Sequence, residues 1–267
     1  AGRSVTLVDR DTPERFGGLA RWAFGGMALV GTPLQRRMRI PDTPEIALRD
    51  WVRFGELDPA DHRSMDWAKH YVERSRSEVY DWLLTEGFKF LPAVNWVERG
   101  RFGDGNTLPR YHMIWGCARE LILRFTEALH RADSNGRLRL LHRHRVVSLE
   151  READRLTGAR AIDETTGAEV RLTAPIVVLA MGGLNGAHDE CRANWPKHYP
   201  LPKTMLNGAH PFADGRLHHH VADTLAGQIV NAGEMWNYAA GFPHPFPHFE
   251  GHGLSTMPCK SALWLDH

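Results

Sequence analysis

The sequence predicts an α/β fold: a parallel sheet flanked by helices, with an antiparallel β-meander inserted. Three observations carry this. The first is the apolar run Val5-Thr-Leu-Val8, closed by Asp9 and a polar loop with the glycine pairs Gly17-Gly18 and Gly25-Gly26. The second is a series of short strand-like segments between residues 138 and 172. The third is another apolar run, Ile176–Ala180, that exits sharply at Met181-Gly182-Gly183. Short runs that are apolar throughout, unlike alternating ones, suit strands buried on both faces of a parallel sheet.

The elements follow in order. Arg3–Asp9 is predicted as a parallel strand. A helix starts at Thr43, where Pro44 suits a first turn and Ile46, Leu48, Trp51 and Val52 follow. A longer helix covers Ser64–Glu86, with Trp67, Tyr71, Val79, Trp82 and Leu83 apolar and Gly87 as its stop. Phe88–Val97 is expected to be extended and Gly100–Pro109 to be a glycine-rich loop. Cys117–Ala132 is an amphipathic helix closed near Asn135-Gly136. Strands are expected at Leu138–His142, Arg145–Glu150, Thr157–Asp163 and Glu169–Leu172. The turn Thr165-Thr166-Gly167 joins the last two. A helix over Gly215–Gly227 and a strand over Gln228–Val230 follow. Beyond Ala239 the chain is dense in Pro, His, Phe and Gly and has no periodicity.

Composition narrows the function. The chain has 267 residues, is 42% hydrophobic and carries a net charge of +1. That is ample for a sizeable core, and it leaves no electrostatic footprint for nucleic acid or an anionic membrane. Local basic clusters such as Arg36-Arg37 and His142–Arg145 read as solvated faces. No apolar run reaches the roughly 20 residues that span a bilayer. The three cysteines, Cys117, Cys191 and Cys259, are widely spaced and contain no CxxC. This suggests neither a disulfide framework nor a zinc knuckle, and a reducing, cytoplasmic compartment fits.

The chemistry-bearing residues begin with Asp9. An acid at the end of a strand in a nucleotide-binding unit can accept both hydroxyls of a ribose. Glycines after it let backbone approach a flat or phosphorylated ligand, since no Cβ intervenes. The strand and G-x-G-x-x-G turn that should come before would lie ahead of Ala1, so this chain would hold the second half of a cofactor site. His218-His219-His220 lies on a predicted helix, where consecutive side chains diverge and cannot share a metal. His244, His248 and His252 have ligand-like spacing but sit among Pro and Phe without nearby carboxylates, so no metal is expected. No G-x-S-x-G hydrolase signature is present.

Four segments together resemble the fumarate reductase/succinate dehydrogenase-type FAD-dependent oxidoreductases, and most of all their 3-ketosteroid dehydrogenase-like branch. They are Val8-Asp9-Arg10 with its two glycine pairs; Asn106-x-x-Pro109-Arg110-x-His112-x-x-Trp115-Gly116; His144-Arg145-Val146-x-x-Leu149; and Leu179-Ala180-Met181-Gly182-Gly183-Leu-Asn-Gly186, followed by Asp214-Gly215 and a helix. The resemblance implies a Rossmann-like FAD-binding domain over 1–238 and the beginning of an α+β capping domain over 239–267. It implies FAD held by Asp9 and Arg10 at the ribose, by Gly17, Gly18, Leu19 and Ala20 along the flavin, and by Gly25 and Gly26 beneath the ring. Val146 would contact adenine through its backbone, and Ala180, Gly182 and Gly183 would pass the nucleotide. Leu19-Ala20 stands where the family often has a hydroxyl or amide residue, and Met181 stands where it usually has Thr. Arg110 and His112 would hold an anionic substrate or flavin anion. Tyr238 stands where many relatives have His and would relay a proton.

The implied reaction is dehydrogenation or reduction of a C–C bond beside a carbonyl in a ketosteroid-like substrate, with an unidentified electron acceptor or donor. A fumarate reductase-like action on a small dicarboxylate is the alternative. A further alternative is an inactive fragment that binds no FAD.

Overall fold

The structure, a computed structural model, describes residues 3–95, 105–238 and 241–255. In chain order the elements are β1 (Val5–Val8), β2 (Gly26–Ala28), α1 (Pro33–Arg37), α2 (Pro44–Phe54) and α3 (His62–Arg74). A π-helical turn (Ser75–Tyr80) continues α3 into α4 (Asp81–Thr85), followed by β3 (Tyr111–Met113) and α5 (Cys117–Ser134). Next come β4 (Leu138–Leu141), β5 (His144–Glu152), β6 (Arg155–Asp163), β7 (Glu169–Thr173), α6 (His188–Ala193), α7 (Arg216–Leu225), β8 (Gly241–Pro243) and β9 (Gly253–Ser255). The chain divides into two compact units: Ala1–Leu19 with Leu129–His267, and Ala20–Ala128. The boundary expected at 238/239 meets residues 239 and 240, which lie outside the described residues, as does 256–267, the end of the expected capping segment. Part of the expected Gly100–Pro109 loop and the end of the Phe88–Val97 segment lie outside them too.

In the first unit, β1 pairs with β4 in parallel, from Val5 opposite Leu138 to Val8 opposite Leu141. The meander forms as β5-β6-β7, all antiparallel. Its β6–β7 turn closes because the Asp163 carboxylate accepts the Thr165 N–H at 2.8 Å and the Thr166 hydroxyl at 2.9 Å, while Gly167 supplies a φ of +77°. The strand expected at Ile176–Ala180 does not form a ladder. Ile176 is 60% and Val178 82% exposed, because among the described residues no strand pairs with this segment, and a run apolar on both faces is buried only between neighbours. The strand expected at Gln228–Val230 is likewise absent, and Val230 is exposed.

In the second unit, the helix expected at Ser64–Glu86 is present. It starts at His62 because the Asp61 side chain accepts the Ser64 N–H at 3.2 Å. Mid-way it opens into the π-turn, at the point where the buried Ser75 hydroxyl accepts the Val30 N–H at 3.3 Å. Apolar faces meet in two clusters, Val30–Ala47–Val72 and Leu83–Phe88–Ile114. Truncating a side chain as enclosed as Leu83 to Ala costs about 2–5 kcal/mol. Extended backbone follows as expected, with bridges Phe90 to Ile114 and Asn95 to Tyr111. The short α1 and the β2–β3 pair escape sequence periodicity because each is only three to five residues long.

Candidate functional site

Asp9 follows the last residue of β1. Its N–H donates to the Leu141 carbonyl at 2.9 Å and its own carbonyl accepts the His144 N–H at 3.1 Å, so its backbone is fixed to the β4–β5 connection. One carboxylate oxygen, Oδ1, accepts the Asp11 N–H at 2.7 Å. This Asx-turn holds the carboxylate in place and leaves Oδ2 for a ligand.

Arg10 is spent inside the same unit. Its guanidinium pairs with Glu164 at 3.0 Å and with Asp214 at 3.1 Å, and it lies 4.2 Å over the Phe212 ring. Burial pushes the Glu164 carboxyl up, but Arg10 and Arg145 outweigh it and hold the group below the usual carboxylate range. Asp11 is buried; it accepts the Thr12 N–H at 2.8 Å and the Nε2–H of His210 at 2.9 Å. The Phe212 N–H points at His210 Nδ1 (3.3 Å), which leaves the proton on Nε2.

Residues 207–215 are thus a staple. They hold the Asp9–Asp11 loop through His210 and Asp214. They also hold the Met181–Gly186 loop: the Gly186 N–H donates to the Ala213 carbonyl at 2.9 Å, and the Asn207 side chain donates to the Gly186 carbonyl at 2.9 Å. A Cβ on Gly186 would collide with the His210 carbonyl oxygen, which is why this position needs glycine. Only the Asp214-Gly215 dipeptide hints at the staple in the sequence.

The glycines fall into two kinds. Gly18 (φ +54°) and Gly182 (φ +72°) have left-handed backbone, and a Cβ at either would meet nothing within 4 Å; at Gly183 it would meet only the Asn185 side chain, at 3.9 Å. These are open shoulders where a ligand can come against backbone. Gly25 and Gly26 are filled from within the second unit. A Cβ on Gly25 would lie 2.6 Å from the Ala118 nitrogen at the start of α5, and one on Gly26 would sit inside the Tyr111 ring. Leu19 and Ala20 lie in a short 3₁₀ turn, Gly18–Trp22, with Leu19 exposed. Val146 stands on β5, the edge strand of the meander, beside a bulge that shifts the register between it and Ser148. Ala180 ends the exposed extended stretch.

Arg110 and His112 sit in the second unit as parts of a buried polar core. Arg110 forks onto Asp42 with two bonds of 2.8 Å and reaches Asp50 at 2.7 Å. Thr107 donates to Asp50 through both its N–H (2.9 Å) and its hydroxyl (2.8 Å). Burial works against both charges, yet these partners prevail: Asp50 is held below its ordinary value and Arg110 above. His112 Nδ1 donates to the Arg110 carbonyl at 2.7 Å, so its Nε2 accepts the Thr32 hydroxyl at 2.8 Å. Burial depresses this imidazole and keeps it neutral. Thr32 and Gln35 also form the capping box of α1, and Gln35 donates to Asp42 at 2.9 Å. Within this unit Arg110 commits four of its five N–H donors to Asp42, Asp50 and Asn106, and His112 its one N–H to the Arg110 carbonyl. The capping box Thr32-Pro-Leu-Gln35 is visible in the sequence; its tie to His112 is not.

Tyr238 is 46% exposed and stacks on Trp236 with centroids 6.1 Å apart. The three consecutive histidines diverge as expected. His218 donates to the Gly182 carbonyl (3.0 Å), His219 meets Glu190 (2.8 Å), and His220 accepts the Leu149 N–H (3.0 Å). Among the described residues no group of three His, Cys, Asp or Glu could hold a metal ion, and no helix is long and apolar enough to cross a membrane.

A parallel strand pair followed by an acid, in the same unit as glycines with open backbone, makes this an α/β protein. The chain belongs to the FAD binding domain family, whose model matches residues 1–267. A KsdD-like steroid dehydrogenase of Mycobacterium tuberculosis is 35% identical over 99% of this chain and 49% of its own length. Its counterpart in Mycolicibacterium smegmatis is 34% identical over 99% of this chain and 51% of its own. The chain therefore spans about half the length of the curated relatives it matches. Two solved structures share the fold. One is 3-ketosteroid-Δ4-(5α)-dehydrogenase from Rhodococcus jostii in complex with 4-androstene-3,17-dione (TM-score 0.60, 23% identity, 79% of this chain, 46% of that one). The other is a flavocytochrome c3 fumarate reductase (TM-score 0.62, 19% identity, 83% and 40%).

Proposed function

We propose that this chain is the FAD-carrying part of a flavin-dependent dehydrogenase acting on a C–C bond beside a carbonyl in a hydrophobic, steroid-like substrate. The observation that carries this reading is the 35% identity to a KsdD-like steroid dehydrogenase, sustained over 99% of the chain. The residues fit the cofactor: Asp9 presents a free carboxylate oxygen for the ribose, and Gly18, Gly182 and Gly183 leave backbone bare where a ligand would press against it. When bound there, FAD would supply the redox chemistry, a hydride exchange with the substrate carbon.

The side chains of this chain then take three roles. Asp9 binds, with Gly17, Gly18, Ala180, Gly182 and Gly183 shaping the approach and Val146 offering backbone to the adenine. Arg10, Asp11 and His210 position the Asp9 loop rather than touch the ligand. Tyr238, half-exposed beside Trp236, moves the substrate proton. Arg110 and His112 shape the second unit from inside. With both spent on Asp42, Asp50 and Thr32, the reading as a carboxylate clamp for a small dicarboxylate loses its cation, which favours the less anionic substrate.

The test is a titration of the chain with FAD, followed by the visible flavin band and by retention on desalting. The FAD-loaded protein is then mixed anaerobically with a 3-ketosteroid, either 4-androstene-3,17-dione or its saturated 4,5-dihydro counterpart, or with succinate. Bleaching of the flavin by the steroid alone supports the proposal. Bleaching by succinate alone, or a chain that retains no flavin, overturns it.

A further inference from the structure

We propose that the β8–β9 hairpin is a proton-operated joint, closed while His244, His248 and His252 are neutral and loosened when they charge. Among the described residues the ladder has three rungs, Gly241–Ser255, Phe242–Leu254 and Pro243–Gly253, and Pro243 has no N–H to give. A two-stranded hairpin by itself is marginal in water. Asn207 bridges to it at His252, and the histidines add to it past the last rung. Past the last rung the His244 N–H donates to the His252 carbonyl at 2.8 Å. The two rings stack with centroids 4.3 Å apart and planes 10° from parallel, and His248 packs 5.8 and 5.5 Å from them.

The hydrogen bonds require the neutral form. The Phe246 N–H donates to His244 Nδ1 at 2.9 Å, and the His248 N–H donates to His252 Nδ1 at 3.3 Å. A protonated imidazole carries hydrogen on both nitrogens. Charging either ring therefore turns one of these bonds into two donors facing each other, and charging both stacks two cations. The same bonds disfavour a metal, since each occupies a ring lone pair. His252 is also buried, and burial with His244 and His248 beside it holds its imidazole below the ordinary value. The loop's own acid, Glu250, is exposed. From α6, the His188 ring lies against Gly251. Leu206 and Asn207, which flank the hairpin, are uncharged: the Asn207 N–H donates to the Gly251 carbonyl (2.8 Å) and its carbonyl accepts the Gly253 N–H (3.0 Å). His210, three residues on, is held by Asp11.

The sign follows. His252, with its depressed value, stabilises the closed hairpin above the ordinary imidazole value, and that contribution is lost as pH falls through and below it. Asn207 also holds Gly186, so the joint is wired to the loop bearing Gly182 and Gly183.

Hydrogen exchange of the whole chain tests this, read on peptides covering 241–255 and corrected for intrinsic rates, at about pH 7.5 and about pH 5, either side of the imidazole range. Protection is expected to fall about tenfold or more in the hairpin and less than about twofold in the β5–β6 meander. The double variant H244N/H252N keeps an acceptor oxygen near each Nδ1 position and removes the stacked, chargeable pair; its protection is expected to change by less than about twofold between the two pH values. Unchanged protection in the parent, or an equal loss in the double variant, overturns the proposal. If the double variant does not close the hairpin, imidazole NMR titration of the parent decides. Shared midpoints for His244, His252 and the Phe246 and His248 amides support the joint, and unrelated midpoints overturn it.

Discussion

Arg110 grips Asp42 with both arms of its guanidinium fork, at 2.8 Å each, in a place where the Asp42 side chain meets no solvent and the Arg110 side chain is 6% exposed. Removing one member of such a pair leaves an unpaired buried charge, at about 3–5 kcal/mol. Arg110→Met strands both Asp42 and Asp50 and is expected to lower the urea midpoint of the second unit strongly, and Asp42→Asn, which leaves Arg110 paired with Asp50, to lower it measurably but less. A substrate clamp would instead show Asp42→Asn nearly silent and Arg110→Met acting on KM.

Asp9→Asn keeps the Oδ1 acceptor of the Asx-turn and removes the charge offered to the ribose. FAD affinity is expected to drop about 10- to 100-fold, as befits hydrogen bonds to a charged group worth about 1.5–3 kcal/mol. Thermal stability without FAD should shift by less than about 1 kcal/mol, since the turn survives. Isothermal titration with FAD and a melting curve separate the two.

The two kinds of glycine separate under alanine. Gly182→Ala has open space but a left-handed φ, costing about 1–2 kcal/mol, and its main effect is expected on FAD affinity. Gly26→Ala drives a methyl into the Tyr111 ring, so it is expected to unfold or strongly destabilise the second unit. Adding Tyr111→Ala should recover part of that loss, as measured by circular dichroism melts.

His210 positions the Asp9 loop by its bond to Asp11. His210→Ala is expected to weaken FAD binding about tenfold, leaving a buried Asp11 short of a partner. His210→Gln can present a donor near the Nε2 position and is expected to restore most of the affinity. A purely packing role would leave Gln no better than Ala.

His112, held neutral by burial, has a folded-state value below the ordinary 6.5. Its contribution is complete above that value and is lost as pH falls through and below it. The urea midpoint of the second unit is expected to fall between about pH 7.5 and pH 5, and His112→Gln should flatten that slope.

Much of this was legible from residue order. The helix at Cys117–Ser134, the meander and its Gly167 turn follow from periodicity and turn chemistry that act within a few residues. The placement of Asp9 after an apolar strand is equally local, as is the divergence of His218, His219 and His220. The Ile176–Ala180 run misled because an apolar pattern states what a segment would bury, whereas pairing depends on a neighbour elsewhere in the chain. Arg110 and His112 show the same limit. Their types and spacing suit an anion site, but their partners Asp42 and Asp50 stand 68 and 60 residues away, and the Asp11–His210 bond closes a separation of 199. The sequence by itself determined the longer helices, the meander strands and the placement of Asp9 after an apolar strand. Tertiary structure alone decided which polar groups are spent on one another and which stay open to a ligand. Hydrogen bonds and desolvation depend on distances between residues that the chain order does not encode.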